Sequence, residues 1–282
     1  MNQAHMSVNH KLKLYVFGLA SSVLPAPVRR MLGKSSILRP LRDAYFRPAG
    51  VSQIVGGNIE FERFKFFFSA PYQTFLHAKR SGIESVICRL IISECRQGSV
   101  CIDVGANYGF ITTIMALATG EDGVVLSFEP VAAIYRELKA NIAANQLDQT
   151  CRLLPLAAGC STDLEKNRSA IGPLNGFGEF ATLDQVFFEH GLDHLELIKV
   201  DVDGGDYAVL LGAQKIIERF HPILIVEMES HHEEIYELIK DSGYAHILDM
   251  QGNAVVPGDW PPNLIAATKD IKIPSRGGLV NA

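Results

Sequence analysis

The 282-residue sequence lacks the signatures of several protein classes. No stretch reaches the 18 or more apolar residues of a membrane-spanning helix. The five cysteines are an odd number without C-x-x-C spacing, which fits reduced thiols in a cytoplasm better than a disulfide framework or a zinc site. Repeats and low-complexity tracts are missing as well. A net charge of −5 argues against a general nucleic-acid binder, so an ordinary globular protein remains.

The charge is distributed unevenly along the chain. Residues 1–47 contain eight lysines and arginines and one acid, which gives +7 and leaves −12 for the remainder. Residues 12–24 resemble the apolar core of a signal peptide, but prolines and the Arg29-Arg30 pair follow without an A-x-A cleavage site. The segment is then either a helix packed on the body or a basic segment that touches an anionic membrane or a phosphorylated acceptor. We expect a cytoplasmic protein, membrane-peripheral in the second case.

From residue 83 onward, helical and strand patterns alternate, which predicts an α/β fold with a mostly parallel sheet. A β-hairpin is predicted ahead of it at residues 51–68, with its turn at Gly56-Gly57-Asn58 and its end at residues 69–73. The final two strands are expected to form an antiparallel pair. The predicted helices are 83–95, 111–118, 131–145, 182–190, 206–220 and 233–242, and the strands after the one that ends at Asp103 are 124–128, 151–156, 195–200, 223–226, 245–250 and 264–268.

The rest of the chain is organised around residues 100–110, VCIDVGANYGF. A short buried strand ends in Asp103, and a turn with Gly105 and Gly109 leads into an apolar helix. Glycine lets the backbone approach a ligand closely because it has no Cβ. The N–H groups that begin the helix are free to bind that ligand. The pattern predicts a ligand site at this turn, with a purely structural glycine turn as the alternative.

Four predicted strands end in acids, namely Asp103, Glu129, Asp201 and Glu227. In an open α/β sheet, ligands bind at these carboxyl ends. Glu129 follows Gly109 by 20 residues, where an acid accepts hydrogen bonds from both hydroxyls of a ribose.

The turn also discriminates between nucleotide cofactors. An NAD site prefers G-x-G-x-x-G, whereas this turn reads G-x-N-x-G directly after Asp103, whose carboxylate would repel a pyrophosphate. S-adenosylmethionine has a ribose, a sulfonium and an α-ammonium but no phosphate. The pattern therefore favours S-adenosylmethionine over NAD.

Five sequence blocks together resemble the FkbM family of S-adenosylmethionine-dependent methyltransferases. In the family's order, across residues 98–250, they are DVGANYGF, SFEP, ATLDQV, LIKVDVDGGDYAVLLGA and PILIVEM. The resemblance implies a class I methyltransferase fold, with a seven-stranded sheet whose final strand is reversed. It also implies O-methylation of a hydroxyl, often on a sugar or natural-product scaffold.

The family's cofactor positions carry over onto matching residues of this sequence. The resemblance implies that the methionine part contacts Asp103, Gly105, Asn107 and Gly109. It also implies that Glu129 binds the ribose and that Ala157 and Ala158 contact the adenine. The family's D-x-E-G-A-E block departs, because residues 201–206 read D-V-D-G-G-D. Two glutamates are shortened to aspartates, so their carboxylates reach less far.

A sugar hydroxyl needs a base for methyl transfer, because its own pKa lies far above 7. The candidate catalytic residues are Asp201, Lys199 and His231, with Asp203, Glu227 and His232 nearby. Lys199 can instead pair with a neighbouring carboxylate, and both histidines can belong to a surface helix.

A magnesium ion on Asp201, Asp203 and Asp206 is a further alternative, since oxygen ligands suit it. The three acids are close in sequence, however, and Asp206 falls in a first helical turn, where the helix dipole stabilises an acid. We therefore predict no metal.

We expect three segments. Residues 1–80 form a basic extension that acts as a lid or contacts the acceptor, residues 81–270 form the cofactor-binding methyltransferase domain, and residues 271–282 form a tail. The expected partner is a small-molecule or glycan acceptor, without nucleic acid, and the oligomeric state carries no signal. An NAD-dependent oxidoreductase and a non-catalytic cofactor-binding scaffold are the alternative functions.

The basic extension yields a first testable prediction. If residues 1–47 bind anionic lipid, neutralising Arg29 and Arg30 together lowers co-sedimentation with phosphatidylserine vesicles, because each basic residue adds attraction to the negative surface. Phosphatidylcholine vesicles are the control. Unchanged sedimentation with anionic vesicles would exclude the lipid interpretation.

Overall fold

The computed structural model describes residues 53–161, 179–202 and 204–275. In the first half, the elements are β1 (Ile54–Phe61), β2 (Phe64–Pro71), α1 (Tyr72–Ser81), α2 (Ser85–Glu94), β3 (Val100–Val104), α3 (Phe110–Thr119), β4 (Val124–Phe128), α4 (Ala132–Ala144), β5 (Cys151–Leu154) and β6 (Ala157–Ala158). In the second half, they are β7 (Phe180–Ala181), α5 (Leu183–Glu189), β8 (Leu197–Val200), α6 (Asp206–Leu211), α7 (Gln214–Phe220), β9 (Ile223–Glu227), α8 (His232–Asp241), β10 (His246–Leu248) and β11 (Asn263–Ala267).

Seven strands form the central sheet, in the order β10-β11-β9-β8-β3-β4-β5. The five strands from β9 to β5 are parallel, whereas β11 runs antiparallel to both of its neighbours. This confirms the mostly parallel sheet and the antiparallel final pair. From β3 the chain moves outward to β5 and then returns to β8 on the other side, so strand order reverses between β3 and β8. A ligand crevice is expected at the carboxyl ends of these two strands.

The core has two parts, one on each face of the sheet. All five residues of β3 are buried. Cys101 packs into the cluster with α3 and the hairpin, whereas Val100, Ile102 and Val104 pack into the cluster with α7 and α8. Burial on both faces explains why β3 appears as a continuous apolar run.

The N-terminal hairpin exists, but its predicted turn is wrong. Gly56, Gly57 and Asn58 lie inside β1, and the turn is at Glu62-Arg63, where Glu62 has φ 52°. The glycine at position 56 provides space, because a Cβ there would lie 2.6 Å from the Phe67 ring. β2 also continues to Pro71, past the predicted end, and α1, which follows it, was not predicted.

Two asparagines of the α4 region attach the hairpin to the sheet domain. The side chain of Asn141 accepts hydrogen bonds from the Ser69 N–H and hydroxyl and donates to the carbonyls of Ser69 and Tyr108, all at 2.8 Å. Asn145 bonds the N–H and the carbonyl of Phe67, both at 2.7 Å. Because Tyr108 belongs to the glycine turn, Asn141 joins the hairpin, α4 and that turn.

The predicted helix 206–220 is two helices, α6 and α7, separated at Gly212-Ala213. A Cβ on Gly212 would lie 2.0 Å from the carbonyl oxygen of Gly159, so only glycine permits this contact. Within the described part of the chain, no helix is long and apolar enough to cross a membrane. Cys88, Cys95, Cys101 and Cys151 are buried thiols. Residues 1–52, most of 160–180, Asp203 and residues 276–282, on which several predictions rest, lie outside the described residues.

Asn141 gives the prediction for stability. Asn141→Ala leaves part-buried backbone groups of Ser69 and Tyr108 without partners, so the free energy of unfolding falls by about 1–3 kcal/mol in denaturant titration. Asn145→Ala is the matched control, because the hydrogen bonds of Asn145 are exposed and water replaces them. Equal losses for the two variants would show that burial of Asn141 is not decisive.

Candidate active site

A cavity of about 370 Å³ opens at the carboxyl ends of β3, β4 and β8. This volume falls in the range of small-molecule sites. Its walls come from the turn after β3, from Glu129 and the start of α4, from β6 and β7, and from the end of β8. Phe68, Thr74, Ile83 and Glu84, which precede the sheet, complete the lining.

The two glycines of the organising turn have different functions. Gly105 lines the cavity at φ 80°, and a Cβ there would lie 1.9 Å from the carbonyl oxygen of Asp201. Gly109 lies behind the cavity wall at φ 82°, where a Cβ would lie 2.4 Å from a methyl carbon of Leu138. Gly105 thus permits β3 and β8 to meet, and Gly109 permits α3 to begin against α4.

Glu129 is fixed at the edge of the cavity by the backbone. One carboxylate oxygen accepts the N–H of Asn107 at 3.0 Å, and the other accepts the N–H of Val131 at 2.8 Å. Burial raises the pKa of Glu129, and the two backbone donors counteract part of this rise. Asn107 also lines the cavity, with φ 51°. The remaining lone pairs of Glu129 are available to a ligand.

The opposite wall is apolar. Ala157 and Ala158 pair with Phe180 and Ala181 in a short parallel ladder, and all four residues are buried. Ala157, Ala158 and Phe180 line the cavity together with Leu156 and Ile134. A flat apolar ring, such as a purine, fits such a slot.

Lys199 is a buried cation held by carboxylates. Its side chain is 4% exposed, and Nζ lies 3.1 Å from Asp201 Oδ2 and 3.7 Å from Asp103 Oδ1. It also donates to the carbonyl oxygen of Gly105 at 3.4 Å. Burial disfavours its charge, but Asp103, Asp201 and Glu84 outweigh this effect and raise the pKa of Lys199. Lys199 is therefore paired with neighbouring carboxylates, which was the alternative to a catalytic role, and its ammonium keeps its proton at neutral pH.

Asp103 is fully buried and lies behind the cavity wall. Its Oδ2 accepts the Thr112 hydroxyl at 2.6 Å, whereas no described residue gives Oδ1 a hydrogen bond. Burial raises the pKa of Asp103, and Lys199 and Thr112 oppose the rise. Its predicted contact with the methionine part of the cofactor stays a prediction.

Asp201 and Glu227 form a hydrogen-bonded carboxyl pair at the ends of β8 and β9. Burial disfavours the Asp201 carboxylate, but Lys199 and the hydrogen bond with Glu227 outweigh it, so the pKa of Asp201 is lowered. Burial and the neighbouring Asp201 raise the pKa of Glu227. Glu227 therefore carries the proton of the pair, and Asp201, which lines the cavity, is ionised.

The histidines lie outside the cavity wall. His231 is exposed and stacks on Tyr207 at 5.4 Å between ring centroids, whereas His232 contacts the Met228 carbonyl at 3.0 Å. Asp206 is buried in the first turn of α6 and accepts the Val202 N–H at 3.2 Å. Across the described ranges, no three His, Cys, Asp or Glu side chains are placed to hold a metal ion.

Sequence reasoning missed the lining residues that precede β3, above all Glu84. Glu84 is the N-cap residue of α2 and has a left-handed backbone, with φ 47° and ψ 53°. Such a conformation has no reliable sequence signal, and the residue is 19 positions away from Asp103. Only the packing of α2 against the sheet reveals its place.

The methyltransferase FkbM domain model matches residues 103–246, which is half of the sequence. The chain therefore belongs to the FkbM methyltransferase family, and its cofactor is S-adenosylmethionine. The cavity fits that group, because Glu129 suits a ribose, the apolar slot suits an adenine, and the carboxylates near Lys199 suit a cationic amino-acid end. The chain is thus a methyltransferase and not an NAD-dependent oxidoreductase.

Three solved structures with a similar chain course are described as methyltransferases or methylases. The methyltransferase FkbM from Methylobacillus flagellatus has 17% identity over 61% of this chain and 44% of that chain, with a TM-score of 0.44. An S-adenosylmethionine-dependent O-methyltransferase from Thermotoga maritima has 13% identity over 83% of both chains, with a TM-score of 0.41. An rRNA methylase from Streptococcus thermophilus has 11% identity over 65% of this chain and 93% of that chain, with a TM-score of 0.41. Among curated proteins, none matches the chain.

The buried cation gives a prediction with a defined pH dependence. Lys199→Met leaves Asp103, Asp201 and Glu84 without their counterion, so the free energy of unfolding falls by about 3–5 kcal/mol at pH 7. The loss is smaller at pH 5. Burial raises the pKa values of Asp103 and Glu84, so more of these carboxyl groups are protonated at pH 5 than at pH 7 and fewer need a counterion. In the wild type, the folded pKa of Lys199 lies above its unfolded value of 10.5, so this stabilisation is complete at neutral pH and is lost only at alkaline pH.

Urea titrations of both proteins at the two pH values measure this effect. Lys65→Met is the matched control, because Lys65 pairs with Glu60 at 2.8 Å but on the surface, and it should change stability little. A Lys199→Met loss that does not depend on pH would contradict the electrostatic explanation.

Proposed function

We propose that this methyltransferase transfers the methyl group of S-adenosylmethionine to a hydroxyl oxygen of a sugar, glycan or natural-product acceptor. The observation that carries the proposal is Asp201, a carboxylate on the cavity wall whose Oδ2 lies 3.1 Å from the ammonium of Lys199, which lines the same cavity. A hydroxyl acceptor needs such a base, whereas a more acidic or already nucleophilic acceptor does not.

The donor site is proposed as follows. Glu129 binds the ribose hydroxyls, Ala157 and Ala158 contact the adenine, and the turn with Gly105 and Asn107 surrounds the methionine part. Asp103 and Gly109 support that turn from behind. This proposal is supported by the position of each residue relative to the cavity and by the two backbone N–H groups that orient Glu129.

The acceptor side has a base that is already oriented. When bound, S-adenosylmethionine supplies a methyl group on a sulfonium, which leaves as a neutral thioether. Asp201 takes the hydroxyl proton as the acceptor oxygen forms its bond to carbon. Lys199 is a positioning residue, because its ammonium stays protonated and keeps Asp201 ionised.

His231 is proposed to contact the acceptor rather than to take its proton. The hydroxyl of the adjacent Ser230 donates to the carbonyl oxygen of Gly204 at 3.1 Å. This bond ties the loop that carries His231 to the loop after β8, of which Val202 and Gly205 line the cavity. His231 and Tyr207 then form an aromatic rim beside the acceptor entrance.

Calorimetry tests the donor half. The wild type should bind S-adenosylhomocysteine, and Glu129→Gln should lower the affinity about 10- to 100-fold, because hydrogen bonds between a carboxylate and the ribose are lost. Glu121→Gln is the control, since Glu121 is exposed in a remote turn. Equal affinities for the two variants would contradict the ribose assignment.

Incubation with labelled S-adenosylmethionine and an acceptor panel tests the acceptor half. Sugars, glycans and hydroxylated natural products should become methylated, and Asp201→Asn should lower turnover about 100-fold or more while cofactor binding persists. RNA is included because one similar structure is described as an rRNA methylase. Methylation of RNA alone would overturn the acceptor class, and cofactor binding without any product would favour the scaffold alternative.

A further inference from the structure

Glu84 is the cavity-lining acid that the assigned site does not use. It lies outside residues 103–246, which the family model matches. It comes from the start of α2 and faces the same cavity as Lys199 and Asp201. Burial raises the pKa of Glu84, Lys199 opposes this rise, and Asp201 and Asp103 add to it. These groups therefore lie close enough to interact.

Among the described residues, the carboxylate of Glu84 has no hydrogen-bond donor. Within residues 53–161, 179–202 and 204–275, no side chain or N–H donates a hydrogen bond to it, and only charges at longer range act on it. The Nζ atom of Lys199 already contacts Asp201 at 3.1 Å, the Gly105 carbonyl oxygen at 3.4 Å and Asp103 at 3.7 Å. A half-buried carboxylate without a donor is costly, so a ligand with N–H groups would complete it.

The excess of negative charge around Lys199 also favours the binding of a cation. Asp103, Asp201 and Glu84 surround one ammonium, that of Lys199. Asp103 lies behind the wall and is held by Thr112, so it is not the acid that the cavity presents. Glu84 and Asp201 are therefore the two acids of this group that line the cavity, and Asp201 already contacts Lys199 at 3.1 Å.

The backbone of Glu84 is held in an unusual conformation. A left-handed conformation is energetically unfavourable for a residue other than glycine and persists only where the surroundings enforce it. The surroundings here are the buried apolar residues of α2, namely Val86, Ile87, Leu90 and Ile91. Backbone strain of this kind is found at active sites and ligand-binding sites.

We propose that Glu84 is a cofactor-binding residue whose carboxylate accepts hydrogen bonds from the α-ammonium of S-adenosylmethionine. The ammonium is chosen over the sulfonium because only the ammonium has N–H donors. This deepens the donor half of the proposed function and does not depend on the acceptor.

The test compares two ligands in calorimetry. S-adenosylhomocysteine has the amino-acid end, whereas 5′-methylthioadenosine has the same nucleoside and thioether without it. Glu84→Gln should weaken S-adenosylhomocysteine about 10- to 100-fold, because a charge-assisted hydrogen bond is lost. It should leave 5′-methylthioadenosine within about twofold, because that ligand has no ammonium to lose. Glu121→Gln is the control and should change neither affinity.

Thermal unfolding without ligand separates binding from support of the fold. The melting temperature of Glu84→Gln should stay the same or rise, because one of three carboxylates around Lys199 is neutralised. A clear fall would mean that Glu84 is a structural counterion of Lys199, and it would overturn the proposal. Glu84→Asp, which keeps the charge, should retain more affinity for S-adenosylhomocysteine than Glu84→Gln does.

The outcomes distinguish the two proposals. If the wild type binds S-adenosylhomocysteine and Glu84→Gln binds it equally well, the assignment of Glu84 fails and the donor site stands. Equal weakening of both ligands also overturns it, since Glu84 then does not act on the amino-acid end. If the wild type binds neither ligand, the donor site itself fails together with this inference.

Discussion

The ion pair between Lys199 and its carboxylates is the interaction on which the site depends. Asp103 and Lys199 are register partners on the neighbouring strands β3 and β8, where strand order reverses. A buried ammonium is tolerated only with close counterions. Lys199 has two, Asp103 on the neighbouring strand β3 and Asp201 directly after its own strand β8. The same ammonium contacts the Gly105 carbonyl and thereby fixes the glycine turn. One side chain thus joins the two strands, the cofactor turn and the proposed base.

This arrangement creates more negative than positive charge, and the excess faces the cavity. A closed structural network would balance its charges, as exposed pairs such as Lys65 and Glu60 do. Here Glu84 and Asp201 remain on the wall, and Glu227 keeps a proton because another carboxylate beside Asp201 is unfavourable. The cationic end of the methyl donor would complete the balance when it binds. Perturbed carboxyl pKa values of this kind are common at functional sites.

The sheet could be predicted because its strands are buried on both faces and end in acids. The strand 124–128 matches β4 residue by residue, and Glu129 and Asp201 line the cavity as expected. Other features depend on contacts far along the chain. Gly56 resembles a turn residue but makes room for Phe67, and Gly212 divides a helix because Gly159 lies against it. Asp103 resembles a ligand-binding acid but is buried, and Glu84, which faces the cavity, is defined by a backbone conformation that no local pattern signals.

The cavity divides between residues inside and outside the matched family region. Gly105, Asn107, Glu129 and Ala157 lie within residues 103–246, whereas Phe68, Thr74, Ile83 and Glu84 precede them. Phe68 belongs to the hairpin, which Asn141 joins to the glycine turn, Thr74 belongs to α1, and Ile83 and Glu84 directly precede α2. Family membership therefore identifies the methyl donor through the first group. Glu84 belongs to the proposed donor site, whereas Phe68, Thr74 and Ile83 line the cavity without a proposed contact with the methyl donor. Selectivity for the acceptor is expected to reside there.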